Sequence, residues 1–271
     1  EVVAQQIRAN LLGAQLNDCW VGRADIVREG LPTLPWYLGA CLERVERYGK
    51  SVALGFQKEN ELRYVVAELG MTGLLLFRAT QTKYPQHVHV RLSFTGGRES
   101  ELRYWNPRRF GRLSLLDQAG LDRYRARRFG VDPLTVPRDE FISLMEARRG
   151  RLKPLLMHQQ VIAGIGNIYA NEMLFRAKLH PNREASRLRK AMIVRLYDTM
   201  QTVLREAIAC GGSSVKDFFA PDGTEGHYKQ HHLVYGKEGQ PCPNRCGRII
   251  RRLQSERSSF VCPTCQRKSR V

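Results

Sequence analysis

The chain has 271 residues, 42% of them hydrophobic, which is enough for a packed core, suits two domains better than one, and excludes wholesale disorder. Lys and Arg outnumber Asp and Glu by 44 to 26, a formal charge of +18 that points to a polyanionic partner, nucleic acid first. No run of eighteen apolar residues and no signal-like start is seen, so the expectation is a cytoplasmic protein without a membrane partner.

In chain order, AQQIRANLLG reads as a helix that Gly13 ends. Five short segments of strand character follow: 51–56, 63–69, 73–80, 87–94 and 101–105, with the clearest alternation in HVHVRLSF. Grouped strands punctuated by Gly and Pro predict an antiparallel β-sandwich over residues 1–130, flanked by the first helix. VDPLTVP (131–137), with two prolines, reads as a hinge linker. Helical periodicity then takes over. Helices are predicted in RDEFISLMEARRG, KPLLMHQQVIA and GNIYANEMLFRAKLHP, and a long amphipathic one over 185–212, with Leu188, Met192, Leu196, Met200, Val203 and Leu204 on its core stripe. The fold class expected is therefore α+β: sandwich, helical domain over 138–235, and a cysteine module over 236–271.

Of seven cysteines, Cys19, Cys41 and Cys210 are scattered and expected to be buried reduced thiols. The other four form two pairs, Cys242-x3-Cys246 and Cys262-x2-Cys265, separated by fifteen residues. Two close pairs let two turns supply four thiolates to one tetrahedral Zn²⁺, and four sulfurs leave no position open for chemistry, so the metal is expected to be structural. His227, His231 and His232 lie upstream as weaker competitors for the ion. Between the pairs, RIIRRLQ and SSFV predict a hairpin turning at 254–257 and carrying Arg248, Arg251, Arg252 and Arg257, suited to phosphate contact. AGIGNIYANE places a Gly-bearing turn before a helix, a generic anion site to which Asn167 adds a side-chain donor.

Several of these stretches together resemble the formamidopyrimidine-DNA glycosylase and endonuclease VIII family. KPLLMHQQVIAGIGNIYANEMLFRAKLHP is similar to its helix–two-turn–helix, and the cysteine hairpin with Arg257 in RSSFVC to its zinc hairpin. NPRRFGRL resembles the family's Asp-Pro-Arg-Arg-Phe-Gly with Asn106 in place of Asp, LGMTG its Leu-Gly-Met-Ser-Gly, and YGKSVAL the strand carrying its Lys. GGSSVKDFFAPDGTEGHYKQHHLVYGKEGQPC resembles the segment leading into the zinc module, and with LGMTG it leans toward the formamidopyrimidine branch.

The resemblance implies a monomeric base-excision repair enzyme on double-stranded DNA containing oxidised bases or abasic sites. It implies one that removes oxidised purines such as 8-oxoguanine and formamidopyrimidines, and then cuts the strand by β,δ-elimination. It implies catalytic roles for Lys50 and Arg257, DNA contacts by His87, Arg108, Asn167 and, more weakly, Arg149 and Lys153, and filling of the emptied duplex by Met71, Arg108 and Phe110. The family's nucleophile is an amino-terminal proline followed by a catalytic glutamate. Counting back from Gly13 aligns Glu1 with the last glutamate of the family's Pro-Glu-Leu-Pro-Glu-Val-Glu, so both groups are expected to precede this sequence, and Glu1 is not expected to be the acid. The competing expectations are a non-enzymatic DNA-binding paralogue and a relative preferring oxidised pyrimidines. Asn106 for Asp is expected to weaken an anchor of the inserting loop, and Glu68 stands where many relatives have His.

Overall fold

A computed structural model describes residues 1–70, 72–82, 84–214, 219–254 and 257–268. By contacts the chain divides into two compact units, one of residues 1–127 and 210–229, the other of 128–209 and 230–271.

The first unit opens with α1 (Val2–Leu11), whose buried Val3, Ala4, Ile7 and Leu11 recur at helical spacing and enter the core. Gly13, at φ +82°, takes the left-handed turn that carries the chain into β1 (Gln15–Val21). Then come β2 (Val27–Glu29), the short α2 (Leu34–Tyr37), β3 (Cys41–Tyr48), β4 (Ser51–Lys58), β5 (Glu61–Glu68), β6 (Leu74–Phe77), β7 (Val88–Thr95), β8 (Glu101–Trp105), β9 (Leu113–Asp117) and α3 (Gln118–Arg128). Hydrogen bonding runs in the order β2-β9-β5-β4-β3-β1-β7-β8-β6, antiparallel throughout except for the parallel pair β2–β9.

At the middle of that order β1 and β3 share one residue pair, Gln15 with Cys41. Phe56 of β4 and Phe94 of β7 are not on neighbouring strands, yet their rings stack at 6.3 Å. The two halves therefore face each other across one apolar core, the expected sandwich.

Four strands and two helices of this unit lie outside the segments predicted from sequence. Bulges at Leu16/Asp18 in β1 and Leu42/Arg44 in β3 break the two-residue alternation there. β2 is only three residues long, and β9 buries Leu113 to Leu116 without interruption, so neither alternates. α2 spans a single turn, and α3 buries only Leu121 and Tyr124 and has no apolar stripe to read.

The second unit contains α4 (Arg138–Glu146), α5 (Leu152–Met157), α6 (Asn167–Arg176), α7 (Lys190–Ala209) and the hairpin β10 (Arg251–Leu253) with β11 (Ser259–Val261). The helix expected over 153–163 stops at Met157. The Gln159 side chain donates to the Met157 and Ile165 carbonyls and accepts from the Gly164 amide, replacing helical bonds with two turns. α7 starts at Lys190, not at 185, because residues 185–187 form a separate 3-10 turn whose Ala185 amide donates to the Gly150 carbonyl. Its buried stripe is Ile193, Leu196, Met200, Val203 and Ala207, rotated from the expected one: Met192 and Leu204 are half-buried, and Leu188 is buried ahead of the helix.

Segment 131–137 is packed rather than a free linker. Val131 and Ile162 form a parallel bridge, and the Pro133 and Val136 carbonyls accept from Gln201 and Tyr197 of α7. Residues 210–229, assigned from sequence to the helical domain, belong to the sheet unit: Phe77 N and Thr80 Oγ1 donate to the Pro221 carbonyl at 2.8 and 2.7 Å, and Gln6 bonds Asp222. Among the described residues no helix is long and apolar enough to cross a membrane.

Candidate nucleic-acid interface and metal centre

The four clustered cysteines converge. Their sulfurs all lie within 4.8 Å of one another, with Cys242–Cys265 at 3.8 Å and Cys246–Cys262 at 3.4 Å. Four thiolates about 2.3 Å from a tetrahedral zinc would sit about 3.8 Å apart, so the donor set fits that ion. The longer first spacer is absorbed by Arg245 at φ +52° and Gly247 at φ +72°. Two donors turn toward the sulfurs, the Cys265 amide to Cys262 and Asn244 Nδ2 to Cys265, each at 3.4 Å. No histidine joins this cluster among the described residues. Cys19, Cys41 and Cys210 stand apart, half-buried rather than fully buried as expected.

The module is fixed to its own unit through polar side chains that sequence reasoning passed over. Asn171 Oδ1 accepts the Phe260 amide at 2.8 Å. The fully buried Glu172 carboxylate accepts three consecutive amides, Leu233, Val234 and Tyr235, at 2.8, 3.0 and 2.8 Å. The signal was present: two polar residues inside the apolar helix α6 are tolerated only when satisfied.

Lys153, expected as a phosphate contact, differs from that reading. It is 3% exposed, and its Nζ donates to the Arg257 carbonyl (3.3 Å), the Ser258 carbonyl (2.7 Å) and Ser259 Oγ (2.9 Å). Burial, and after it the Arg257 charge, bring its pKa down to about 8. It braces the hairpin from beneath and holds the backbone of Arg257, whose side chain is exposed. Arg248, Arg251 and Arg252 are exposed as well, and Arg149 is exposed beyond α4. Asn167 opens α6 after Gly166, which offers no capping side chain, and an uncapped helix start suits an anion.

In the sheet unit, Lys50 is exposed in the tight turn after Gly49 (φ +58°) that joins β3 to β4. His87 is half-buried at the end of a 3-10 turn entering β7. Loop 106–112 projects Arg108 and a 56% exposed Phe110, with the guanidinium 4.7 Å from the ring centre. An aromatic ring left this exposed is available to stack on a base. Met71 lies outside the described residues.

Asn106 itself anchors the loop. It is fully buried, its amide donates to the His87 carbonyl (2.9 Å), and its own carbonyl accepts from His89 Nε2 (3.0 Å). Its side chain accepts the Arg109 amide (3.0 Å) and donates to Tyr104 Oη (2.9 Å). Burial keeps His89 below the usual imidazole range, so it is neutral, with its proton on the nitrogen facing that carbonyl. Glu68 pairs with Arg28 at 2.6 Å. Glu1 bonds Arg47 at 2.9 Å, and although burial raises its carboxyl, the Arg47 hydrogen bond leads the interactions that hold it below the usual range.

Comparison with known proteins accounts for nearly the whole chain. Residues 1–113 match the formamidopyrimidine-DNA glycosylase N-terminal domain, 129–219 its H2TH domain, and 239–267 a zinc finger found in Fpg and isoleucyl-tRNA synthetase. A formamidopyrimidine-DNA glycosylase of Pelotomaculum thermopropionicum is 34% identical over 275 residues, covering 98% of this chain and 97% of the relative. One from Roseiflexus is 41% identical over 204 residues, 73% of this chain and 72% of the relative. The structure of MutM (Fpg) from Thermus thermophilus superposes with a TM-score of 0.84 at 34% identity, covering 99% and 97% of the two chains. Lactococcus lactis Fpg in complex with abasic-site DNA gives 0.85 at 27% identity, with 98% and 97% coverage. This is the fold and domain set of a DNA glycosylase. The chain belongs to the formamidopyrimidine-DNA glycosylase family.

Proposed function

We propose that this protein is a base-excision DNA glycosylase that removes oxidised purines, such as 8-oxoguanine and formamidopyrimidines, and then acts as a lyase on the abasic site. The observation that carries the reading is the match of three domains in order along the chain. It is supported by relatives named for formamidopyrimidine release and by L. lactis Fpg solved with DNA containing an abasic site or Fapy-dG. The partner is double-stranded DNA carrying the lesion, and the +18 charge favours it.

In this reading the lesion base leaves the stack for a pocket, because its sugar cannot be reached inside the duplex. Phe110 stacks where the base was, Met71 fills volume beside it, and Arg108 hydrogen-bonds the orphaned partner. In the sheet unit Lys50 and His87 contact DNA phosphates; in the other unit Asn167 and the side chain of Arg257 do so, with Arg149 as a further cation. Lys153 acts through Arg257 rather than on DNA. One zinc ion on Cys242, Cys246, Cys262 and Cys265 has a structural role and secures the hairpin. Covalent attack on the sugar requires an amine with a free lone pair, the part that the resemblance gives to an amino-terminal proline; residue 1 of this sequence is Glu.

The test is borohydride trapping on a panel of lesion duplexes. The polypeptide of residues 1–271 should bind lesion DNA without a covalent adduct. The same polypeptide preceded by Pro-Glu-Leu-Pro-Glu-Val should trap, and should excise 8-oxoguanine and formamidopyrimidine in preference to oxidised pyrimidines. No trapping by the extended polypeptide sinks the enzyme reading, and a pyrimidine preference sinks the lesion assignment.

A further inference from the structure

Two loops of the sheet unit meet back to back. One is the turn after β5, closed by the Gly73 amide on the Leu69 carbonyl at 2.7 Å, within which Met71 falls in sequence. The other is loop 106–112, with Arg108 and Phe110. Their backbones approach so closely that a Cβ on Gly70 would lie 2.7 Å from the Gly111 nitrogen. A Cβ on Gly111 would lie 2.0 Å from the Glu68 carbonyl oxygen and 2.3 Å from Tyr104 Oη. The Glu68 amide also donates to the Arg112 carbonyl at 2.9 Å.

At this junction sits the Tyr104 hydroxyl, on a side chain only 2% exposed, 2.9 Å from Asn106 Nδ2 and 2.7 Å from the Glu68 carbonyl. The direction of these bonds is fixed by chemistry. The Arg109 amide can only donate, so the Asn106 oxygen must face it, and the Asn106 NH₂ must face Tyr104. The Tyr104 oxygen therefore accepts from Asn106, and its one proton goes to the Glu68 carbonyl. The result is a one-way chain, Asn106 Nδ2–H to Tyr104 O–H to Glu68 C=O, from the root of one loop to the root of the other. An ionised aspartate at 106, the residue the family's motif carries, could not start it. It would take the phenolic proton for itself and leave the Glu68 carbonyl without its donor.

We infer that Tyr104 and Asn106 are positioning residues that lock the turn closed between Leu69 and Gly73 to the loop carrying Arg108 and Phe110, so that the two enter a damaged duplex as one unit. The inference rests on the proposed insertion of those side chains. Its basis in this chain is that a buried directed bond, rather than loop packing alone, joins the two roots.

The test uses the whole polypeptide and a duplex with an abasic-site analogue opposite 2-aminopurine, whose fluorescence reports what fills the gap. Wild type should change the signal on binding. Tyr104→Phe should reduce the extent or rate of that change about three- to tenfold, the weight of one hydrogen bond, while affinity for undamaged duplex stays constant. In a double-mutant cycle its effect should be strongly non-additive with Met71→Ala and with Phe110→Ala. Asn106→Asp should show the same defect near neutral pH and regain insertion relative to wild type as pH falls. A protonated carboxyl donates to Tyr104 again, and burial raises the pH at which it forms. A mere packing defect would not recover with acid. Additive cycles, or an Asn106→Asp defect that is absent or indifferent to pH, would overturn the inference. A wild-type protein giving no signal on the abasic duplex would instead overturn the functional reading, and this inference with it.

Discussion

Loop 106–112 and hairpin 251–261 both hold exposed arginines out to solvent, yet they are supported by different means. The loop stands on the sandwich, whose core runs through both halves of the sheet, and it is tied down by hydrogen bonds between neutral groups. The hairpin stands on a small cluster, Phe175, Val234, Cys242, Ile250, Phe260 and Cys262, two of whose members are metal-ligand candidates. One projection is carried by apolar burial, the other by four sulfurs and a buried ammonium. The comparison teaches that similar basic tips can depend on unrelated energetics, and should fail under different insults.

The largest separation should come from the metal. Cys262→Ser, or a strong chelator, should release zinc and abolish lesion binding, because structural zinc contributes roughly 10–16 kcal/mol to such small modules. The circular dichroism of the sheet unit should persist. Retained affinity after metal loss would show the hairpin to be peripheral.

A smaller effect is expected at the brace. Lys153→Met keeps the stem but leaves the Arg257 and Ser258 carbonyls without their donor, at a cost of about 1–3 kcal/mol to hairpin docking. Amide exchange at Phe260, whose N–H is held by Asn171, should accelerate accordingly; unchanged exchange would remove Lys153 from this role. Smallest in stability is Arg108→Ala, on an exposed side chain, which should leave the melting curve within about 0.5 kcal/mol of wild type. It should still weaken discrimination of the base opposite the lesion by about 1–3 kcal/mol, read from excision rates against each partner base. Unchanged discrimination would argue that Arg108 does not enter the duplex.

What could be read in advance follows the same divide. The cysteine spacing specified its geometry because metal coordination is local in sequence, and the matched motifs brought Arg108, Phe110 and Asn167 into view. β1 and β3 escaped because a bulge shifts each out of its alternation. The end of α5 escaped because one glutamine rewires the backbone after Met157. Lys153 entered as a weaker DNA contact through the family resemblance, and only the fold reveals that its ammonium is held by the carbonyls of Arg257 and Ser258. Asn106 for Asp was expected to weaken an anchor, and the hydrogen bond that its amide gives the Tyr104 hydroxyl could be seen only in the fold.

The return of residues 210–229 to the sheet unit has a consequence for synthesis. Phe77 and Thr80 await the carbonyl of Pro221, and Gln6 awaits Asp222, while residues 128–209 must emerge between them. The first unit therefore cannot be completed cotranslationally as an isolated amino-terminal body; it holds an open seam until most of the chain has left the ribosome. Splitting the protein at 131–137 to express halves would leave that seam unclosed.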